Sequence, residues 1–365
     1  MILLTPGPLT TRLETREAMM KDWGSRDPAF IALTAELRRR LLALSGAENT
    51  HVCIPIQGSG TYVVEATIGS LVGPNDRLLV LENGVYGERM SAITLRLGRS
   101  VERLRWQQNQ PVEPSRLAAR LHEDKSITHV ALVHCETTTG ILNPLEDVAR
   151  VVADEGRFLI VDAMSSFGAL PIDLGHTSVA ALLASSNKCL EGTPGIAFAI
   201  VARSVLEATG PAASISLDLK AQLHGFESNG QWRFTPPVQV VAAAVTALDL
   251  LDAEGGPAAR LFRYQENFDT LVRGMKKLGF ALYLDEATRA AIVATFRMPN
   301  NFPLSFELFY AALAANGYLI YPGKLAQENT FRIGCIGAVT KMDFEGFLEA
   351  VSSILTGVAP ALPVI

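Results

Sequence analysis

Short apolar runs at 78–81, 130–133, 158–161 and 196–201 alternate with longer stretches of helical period. Runs of that length, separated by helix-length segments, predict parallel strands buried on both faces with crossover helices packed outside them. The segment Asn143-Pro144-Leu145-Glu146-Asp147 reads as a helix start, with proline near the first turn and acidic residues where the helix dipole favours them. Two long helices are expected over 238–251, stopping at Gly255-Gly256, and over 258–278. Beyond Gly279 the pattern restarts with a strand at 292–296, a helix at 306–314, strands at 319–321 and 331–333, and a closing helix from Asp343. The expected architecture is α/β: a large domain over 16–255 with a mostly parallel central sheet flanked by helices, and a smaller α+β domain from 1–15 together with 256–365.

Composition narrows the class. Hydrophobic residues make up 48% and charged residues 19% of 365 positions, so the chain can bury a large core and is not of disordered composition. The net charge of −5 comes without blocks of one sign. Arg38-Arg39-Arg40 continues an amphipathic helix beside Glu36 and reads as a solvated face, which argues against nucleic-acid binding. The apolar start Met1-Ile2-Leu3-Leu4 stops at Thr5-Pro6-Gly7-Pro8 without the features of a signal peptide, and no run reaches membrane-spanning length. Cys53, Cys135, Cys189 and Cys335 are scattered with no metal-ligand spacing, so no metal is expected and a reducing, cytoplasmic location is.

Candidate chemistry centres on Lys188, in Ser185-Ser186-Asn187-Lys188-Cys189 between an apolar stretch and a Gly-Thr-Pro-Gly turn. An isolated lysine is ordinarily a surface residue, but one held in an apolar neighbourhood loses hydration, and its neutral amine attacks aldehydes. Asp162 ends an apolar strand where open α/β sheets place ligands; it is either a turn aspartate or a carboxylate facing a cofactor nitrogen. Gly58-Ser59-Gly60-Thr61 leads into a helix, as a plain cap or as an anion site. A competing reading takes Gly58-x-Gly60 followed by Glu82 as a dinucleotide fingerprint, although Val63 stands where a third glycine belongs and Pro55 interrupts the preceding run. Tyr86 follows a strand end and suits either a packed turn or a cofactor ring. Arg332 lies inside an apolar strand, where a guanidinium needs a partner such as a carboxylate or phosphonate.

Together these pieces resemble the class V, fold type I pyridoxal-phosphate aminotransferases, from Leu4 to the last helix. The resemblance runs through Leu4-Thr5-Pro6-Gly7-Pro8-Leu9-Thr10, His134-Cys135-Glu136-Thr137-Thr138-Thr139-Gly140, Val161-Asp162-Ala163-Met164-Ser165-Ser166-Phe167-Gly168, Asn187-Lys188-Cys189 and Gln231-Trp232-Arg233-Phe234-Thr235. It implies that Lys188 carries pyridoxal 5′-phosphate, Asp162 pairs with the ring nitrogen and Tyr86 stacks on the ring. Ser59, Gly60 and Thr61 would hold the phosphate, and Thr137 or Thr138 would lie near the phenolic oxygen. It further implies a homodimer in which Thr235 reaches the partner's cofactor, and a substrate-anion site at Arg332 helped by the turn with Gly7 and Thr10. Within the family, the wording is nearest to members that use 2-aminoethylphosphonate as amino donor and pyruvate as acceptor, a step of phosphonate catabolism. Alternatives are an alanine/serine–glyoxylate type of aminotransferase, a cysteine desulfurase using Cys335, and a non-catalytic relative of the same fold. Departures from the family's pattern fall at Ile196, where an aromatic is expected, and at Arg26.

Overall fold

The computed structural model describes residues 1–358 except 324, 326 and 327. The seven strands of the large sheet are β1 (His51–Gln57), β2 (Arg77–Glu82), β3 (Ser100–Arg105), β4 (His129–Val133), β5 (Phe158–Asp162), β6 (Ala181–Ser185) and β7 (Ile196–Ala202). Across the sheet they run in the order β1-β7-β6-β5-β4-β2-β3. From β3 to β6 every pairing is parallel. The α/β class with a mostly parallel sheet is as expected.

Alternate residues of each strand enter separate cores. Leu79, Leu81, Leu132, Val161, Leu182 and Phe198 join one cluster with Phe30, Leu37 and Leu41 of the helix Pro28–Ser45. Leu78, Val80, Val133, Ile160, Leu183 and Ala199 join the other with Val63 and Ile68 of the helix Gly60–Leu71. Burial on both faces is why these strands read as continuous apolar runs.

Three features depart from expectation. The strand at Ile196 is antiparallel to both its neighbours, not parallel. Only residues 186–195 join it to β6, and a parallel crossover needs a dozen or more. This short connection carries Lys188. Strands β1 and β3 are edge strands that the apolar pattern does not reveal. Pro55 sits within β1, where an edge position tolerates its missing N–H, and β3 mixes charged and apolar residues on both faces because none of it is fully buried.

After the helices Val238–Glu254 and Gly256–Lys277, a four-stranded antiparallel sheet forms from Ala281–Leu282, Val293–Arg297, Thr330–Gly334 and Tyr321–Pro322. Phe268, Phe280, Phe296, Phe309, Phe331, Phe344 and Phe347 fill its core with the helices Phe306–Ala315 and Lys341–Val358. The single strand expected over 319–321 is split. Tyr318–Leu319 pairs in parallel with Ile2–Leu3, whereas Tyr321–Pro322 pairs with Thr330–Gly334. The N-terminal segment is thereby sewn onto this second body, with Leu4 in its core and the Leu4 carbonyl accepting from Gly334 N–H at 3.0 Å. From that anchor, residues 5–10 reach back to Lys188.

Among the described residues no helix is long and apolar enough to cross a membrane, and no group of three His, Cys, Asp or Glu side chains could hold a metal ion.

Candidate active site

The carboxyl ends of β4, β5 and β6 and the N-termini of the helices Gly60–Leu71 and Val85–Arg96 enclose a cavity of about 240 Å³. Ser59, Gly60, Thr61, Tyr86, Thr137, Asp162 and Lys188, each singled out from the sequence, line it together. Residues from five separate stretches of chain meet here because all of them lie at or just beyond strand ends on one side of the sheet.

Lys188 Nζ donates to the Pro6 carbonyl at 2.5 Å. Burial pulls its pKa down to about 8, Arg332 adds to the fall, and Cys189 and Asp162 oppose it. Asp162 is 6% exposed, and its Oδ1 accepts the Met164 N–H at 2.9 Å. Burial raises its pKa to about 6 against the opposing pull of that N–H, of Lys188 and of Arg89. Its second oxygen takes no hydrogen bond from the described residues. Both groups are therefore held toward their neutral forms, and among the described residues neither has an ion-pair partner within 4.0 Å.

Ser59 occupies the N-cap of the helix Gly60–Leu71 but makes no capping hydrogen bond. The N–H groups of Gly60 and Thr61 have no acceptor among the described residues, while Tyr62 N–H turns back to the Ser59 carbonyl. A plain cap would consume the Ser59 hydroxyl; here the helix end is left open to the cavity. Gly60 is required by packing, since a Cβ there would lie 2.7 Å from Met164 Sδ.

Glu136 organises the opposite wall, and sequence reasoning missed it. It is fully buried, and burial raises its pKa. Its Oε2 accepts Tyr86 N–H at 3.0 Å, and its Oε1 accepts the N–H and hydroxyl of Thr138 at 3.2 and 2.7 Å. Thr138 is turned away from the cavity as a result, leaving Thr137 on its surface. Gly84 makes room, because a Cβ would sit 2.2 Å from Glu136 Cγ. An acid followed directly by three threonines, Thr137 to Thr139, is the signal that could have exposed this arrangement.

Arg332 is 1% exposed. It donates from Nη1 to the Thr137 carbonyl at 3.0 Å and from Nε to the Pro322 carbonyl at 3.1 Å. None of the ion pairs among the described residues includes it, and burial lowers its pKa. A buried guanidinium without a carboxylate partner is an anion site in waiting. Arg332 stands behind Thr137 rather than on the cavity surface; the arginine that lines the cavity is Arg89, missed from sequence, which donates to Thr61 Oγ1 at 3.1 Å.

Gly7 lies against Lys188: a Cβ there would fall 2.8 Å from Lys188 Cδ. Thr10 is not brought to the cavity; its hydroxyl accepts Leu3 N–H at 2.8 Å and its carbonyl accepts Ala338 N–H at 2.8 Å, tying down the arm. Thr235 is exposed and lies instead on a neighbouring groove with Phe234, Gly58, Tyr62, Ser59 and Asn187, the last two shared with the cavity rim. Arg26 lines a surface hollow beside Thr235, and Ile196 is buried at the start of β7. Glu82 is consumed structurally, accepting from Ser91 Oγ at 2.5 Å and Arg105 Nε at 2.8 Å, so it is not free for the dinucleotide ribose of the competing reading. Cys335 is wholly buried and its thiol is held protonated by that burial, unlike a mobile nucleophile.

A curated relative from Burkholderia mallei (strain SAVP1), a 2-aminoethylphosphonate–pyruvate transaminase, is 48% identical over 362 residues, covering 99% of this chain and 98% of the relative. Among solved structures, an alanine–glyoxylate aminotransferase from Nostoc sp. superposes with a TM-score of 0.90 at 26% identity, covering 97% of this chain and 95% of that one. A pyridoxal-phosphate-bound phosphoserine aminotransferase from Trichomonas vaginalis shares the fold, with a TM-score of 0.78 at 18% identity over 96% of this chain and 99% of that one. With the class-V aminotransferase family model matching residues 19–318, around a cavity lined by a half-buried lysine and a buried aspartate, the chain belongs to the class-V aminotransferases.

Proposed function

We propose that the chain is a fold type I, pyridoxal-phosphate-dependent transaminase that moves the amino group of 2-aminoethylphosphonate to pyruvate, yielding phosphonoacetaldehyde and L-alanine. The observation that carries the chemistry is the Lys188–Asp162 cavity, in which amine and carboxyl are both held toward neutrality. The choice of substrates follows the relative that shares nearly half its residues over the whole chain.

Pyridoxal 5′-phosphate fits the cavity by the donors and acceptors left unused there. One Asp162 oxygen suits a protonated ring nitrogen, the open helix end at Ser59, Gly60 and Thr61 suits a phosphate, and Lys188 suits an aldehyde. When bound, the cofactor supplies an electron sink for the carbon that bears the substrate amine. Asp162 would hold the ring nitrogen, Tyr86 would cover the ring, and Thr137 would lie by the phenolic oxygen, the hydroxyl of Thr138 being committed to Glu136. Lys188 would hold the cofactor between turnovers, and its Nζ, when free and neutral, would accept the proton leaving the substrate carbon and later return one. Arg332 would hold the phosphonate of one substrate and the carboxylate of the other in turn, with Gly7 keeping the arm's backbone close.

The site is completed in this reading by a second copy of the chain, whose Thr235 would reach the phosphate from the exposed groove bordering Ser59 and Asn187. The cofactor-binding unit is taken as 16–255 and the smaller unit as 1–15 with 256–365, of which 324, 326, 327 and 359–365 lie outside the described residues. Four cysteines, all unpaired, suit a reducing cytoplasm. The test is a half-reaction: purified, cofactor-loaded protein is mixed with 2-aminoethylphosphonate, alanine or serine, and its visible absorption is followed. Bleaching by 2-aminoethylphosphonate supports the assignment. Bleaching by alanine or serine alone moves the protein to the glyoxylate-type branch of the family, and a protein that takes up no pyridoxal phosphate ends the reading.

A further inference from the structure

The geometry points to Arg89 as the cation that neutralises the cofactor's phosphate. The inference rests on the reading that this cavity takes pyridoxal phosphate. A phosphate monoester carries close to two negative charges at neutral pH, whereas a helix N-terminus offers roughly half a positive charge and hydroxyls offer none. Ser59, Gly60 and Thr61 alone therefore leave most of that charge uncompensated.

The other nearby cations are placed differently. Lys188 Nζ is bonded to the Pro6 carbonyl, and Arg332 lies behind the cavity wall, tied through Nε and Nη1 to carbonyls of Pro322 and Thr137. Arg89 projects from the first turns of the helix Val85–Arg96 into the same wall as Thr61. Of its five N–H donors, the only hydrogen bond recorded among the described residues runs from Nη1 to Thr61 Oγ1, at 3.1 Å. No ion pair among the described residues includes it, and its guanidinium lies 4.9 Å from the Tyr86 ring centroid. The Tyr86 ring and the Thr61 hydroxyl hold the fork in place, and the remaining donors are left for an anion at the open helix end. The two arginines thus divide the work, Arg89 serving the cofactor's anion and Arg332 the substrate's.

The test measures dissociation constants of pyridoxal phosphate and of pyridoxal, which lacks the phosphate, for the apoprotein and for Arg89→Gln and Arg89→Lys. Arg89→Gln is expected to weaken pyridoxal phosphate by about 10- to 100-fold, as for a lost charge-assisted hydrogen bond, while pyridoxal binding changes less than about threefold. Arg89→Lys should recover most of the affinity because the charge is kept. Retained pyridoxal binding also shows that the variant is folded. Equal weakening of both ligands would overturn the inference and make Arg89 a support for Thr61 and Tyr86; unchanged pyridoxal phosphate affinity would overturn it too. Failure of the unmodified protein to bind pyridoxal phosphate would instead remove the reading of the cavity on which it rests.

Discussion

Asp162→Asn should make the apoprotein more stable while disabling the enzyme. The carboxyl is buried at the end of β5 and accepts one hydrogen bond, from Met164 N–H, which the asparagine oxygen can keep. Its pKa of about 6 in the folded chain lies above the ordinary 3.8, so ionising it costs the folded state about 3 kcal/mol at 1.36 kcal/mol per tenfold change in proton affinity. The sign follows from proton counting. Below about pH 3.8 the group is protonated folded and unfolded, and no penalty exists; between 3.8 and 6 the unfolded chain releases the proton first, so stability falls as pH rises; above 6 the penalty is complete. The stability gap between Asp162→Asn and the unmodified apoprotein should therefore grow from near zero at pH 4 to as much as about 3 kcal/mol at pH 7.5. Urea unfolding of both apoproteins at matched concentration, followed by tryptophan fluorescence, measures it. Transamination by the loaded variant should drop at least about 100-fold, the low end of what a lost proton-holding group costs. A variant that is less stable at pH 7.5, or a gap that does not change with pH, would refute the argument that the apoprotein spends stability to keep this acid in place.

Three further outcomes follow from the same geometry. Uptake of pyridoxal phosphate by apoprotein should speed up with pH and level off above about pH 8, because only the neutral Lys188 amine attacks; stopped-flow absorbance gives the profile, and a plateau by pH 6.5 would contradict it. Arg332→Gln should raise the KM for 2-aminoethylphosphonate by about 10- to 100-fold while leaving the absorption of the loaded enzyme unchanged, since the side chain touches the cavity wall only through the Thr137 carbonyl. Gly7→Ala should lower kcat at least about tenfold with the fold intact by circular dichroism, because the new methyl would fall 2.8 Å from Lys188 Cδ at a backbone φ of +123°.

The parts of the fold legible from sequence are those whose chemistry is uniform along a run. Strands buried on both faces announce themselves by apolar residues alone, and 78–81, 130–133 and 158–161 did so. Direction is not encoded that way: β7 has the same apolar run whichever way it points, and only the short link through Lys188 betrays that it turns back. Edge strands escape for the opposite reason, since β3 carries charges on both sides and β1 tolerates Pro55. In the site, residues that differ sharply from their surroundings stood out, such as Lys188 and Asp162 near apolar runs and Arg332 between Phe331 and Ile333 in a buried strand. Residues whose role depends on a partner distant in sequence did not. Glu136 matters because it meets Tyr86 N–H fifty positions away, and Arg89 because it meets Thr61, across separate helices. Choosing between Thr137 and Thr138 likewise required knowing which of them Glu136 had already claimed.

The most direct test of the central claim follows both products of a complete turnover. Loaded enzyme is given 2-aminoethylphosphonate and pyruvate, and phosphonoacetaldehyde and L-alanine are quantified together over time. The account predicts equal amounts of the two, neither forming when either substrate is left out and neither forming with Lys188→Ala. Formation of L-alanine at the same rate from another amino donor, with no phosphonoacetaldehyde from 2-aminoethylphosphonate, would contradict it.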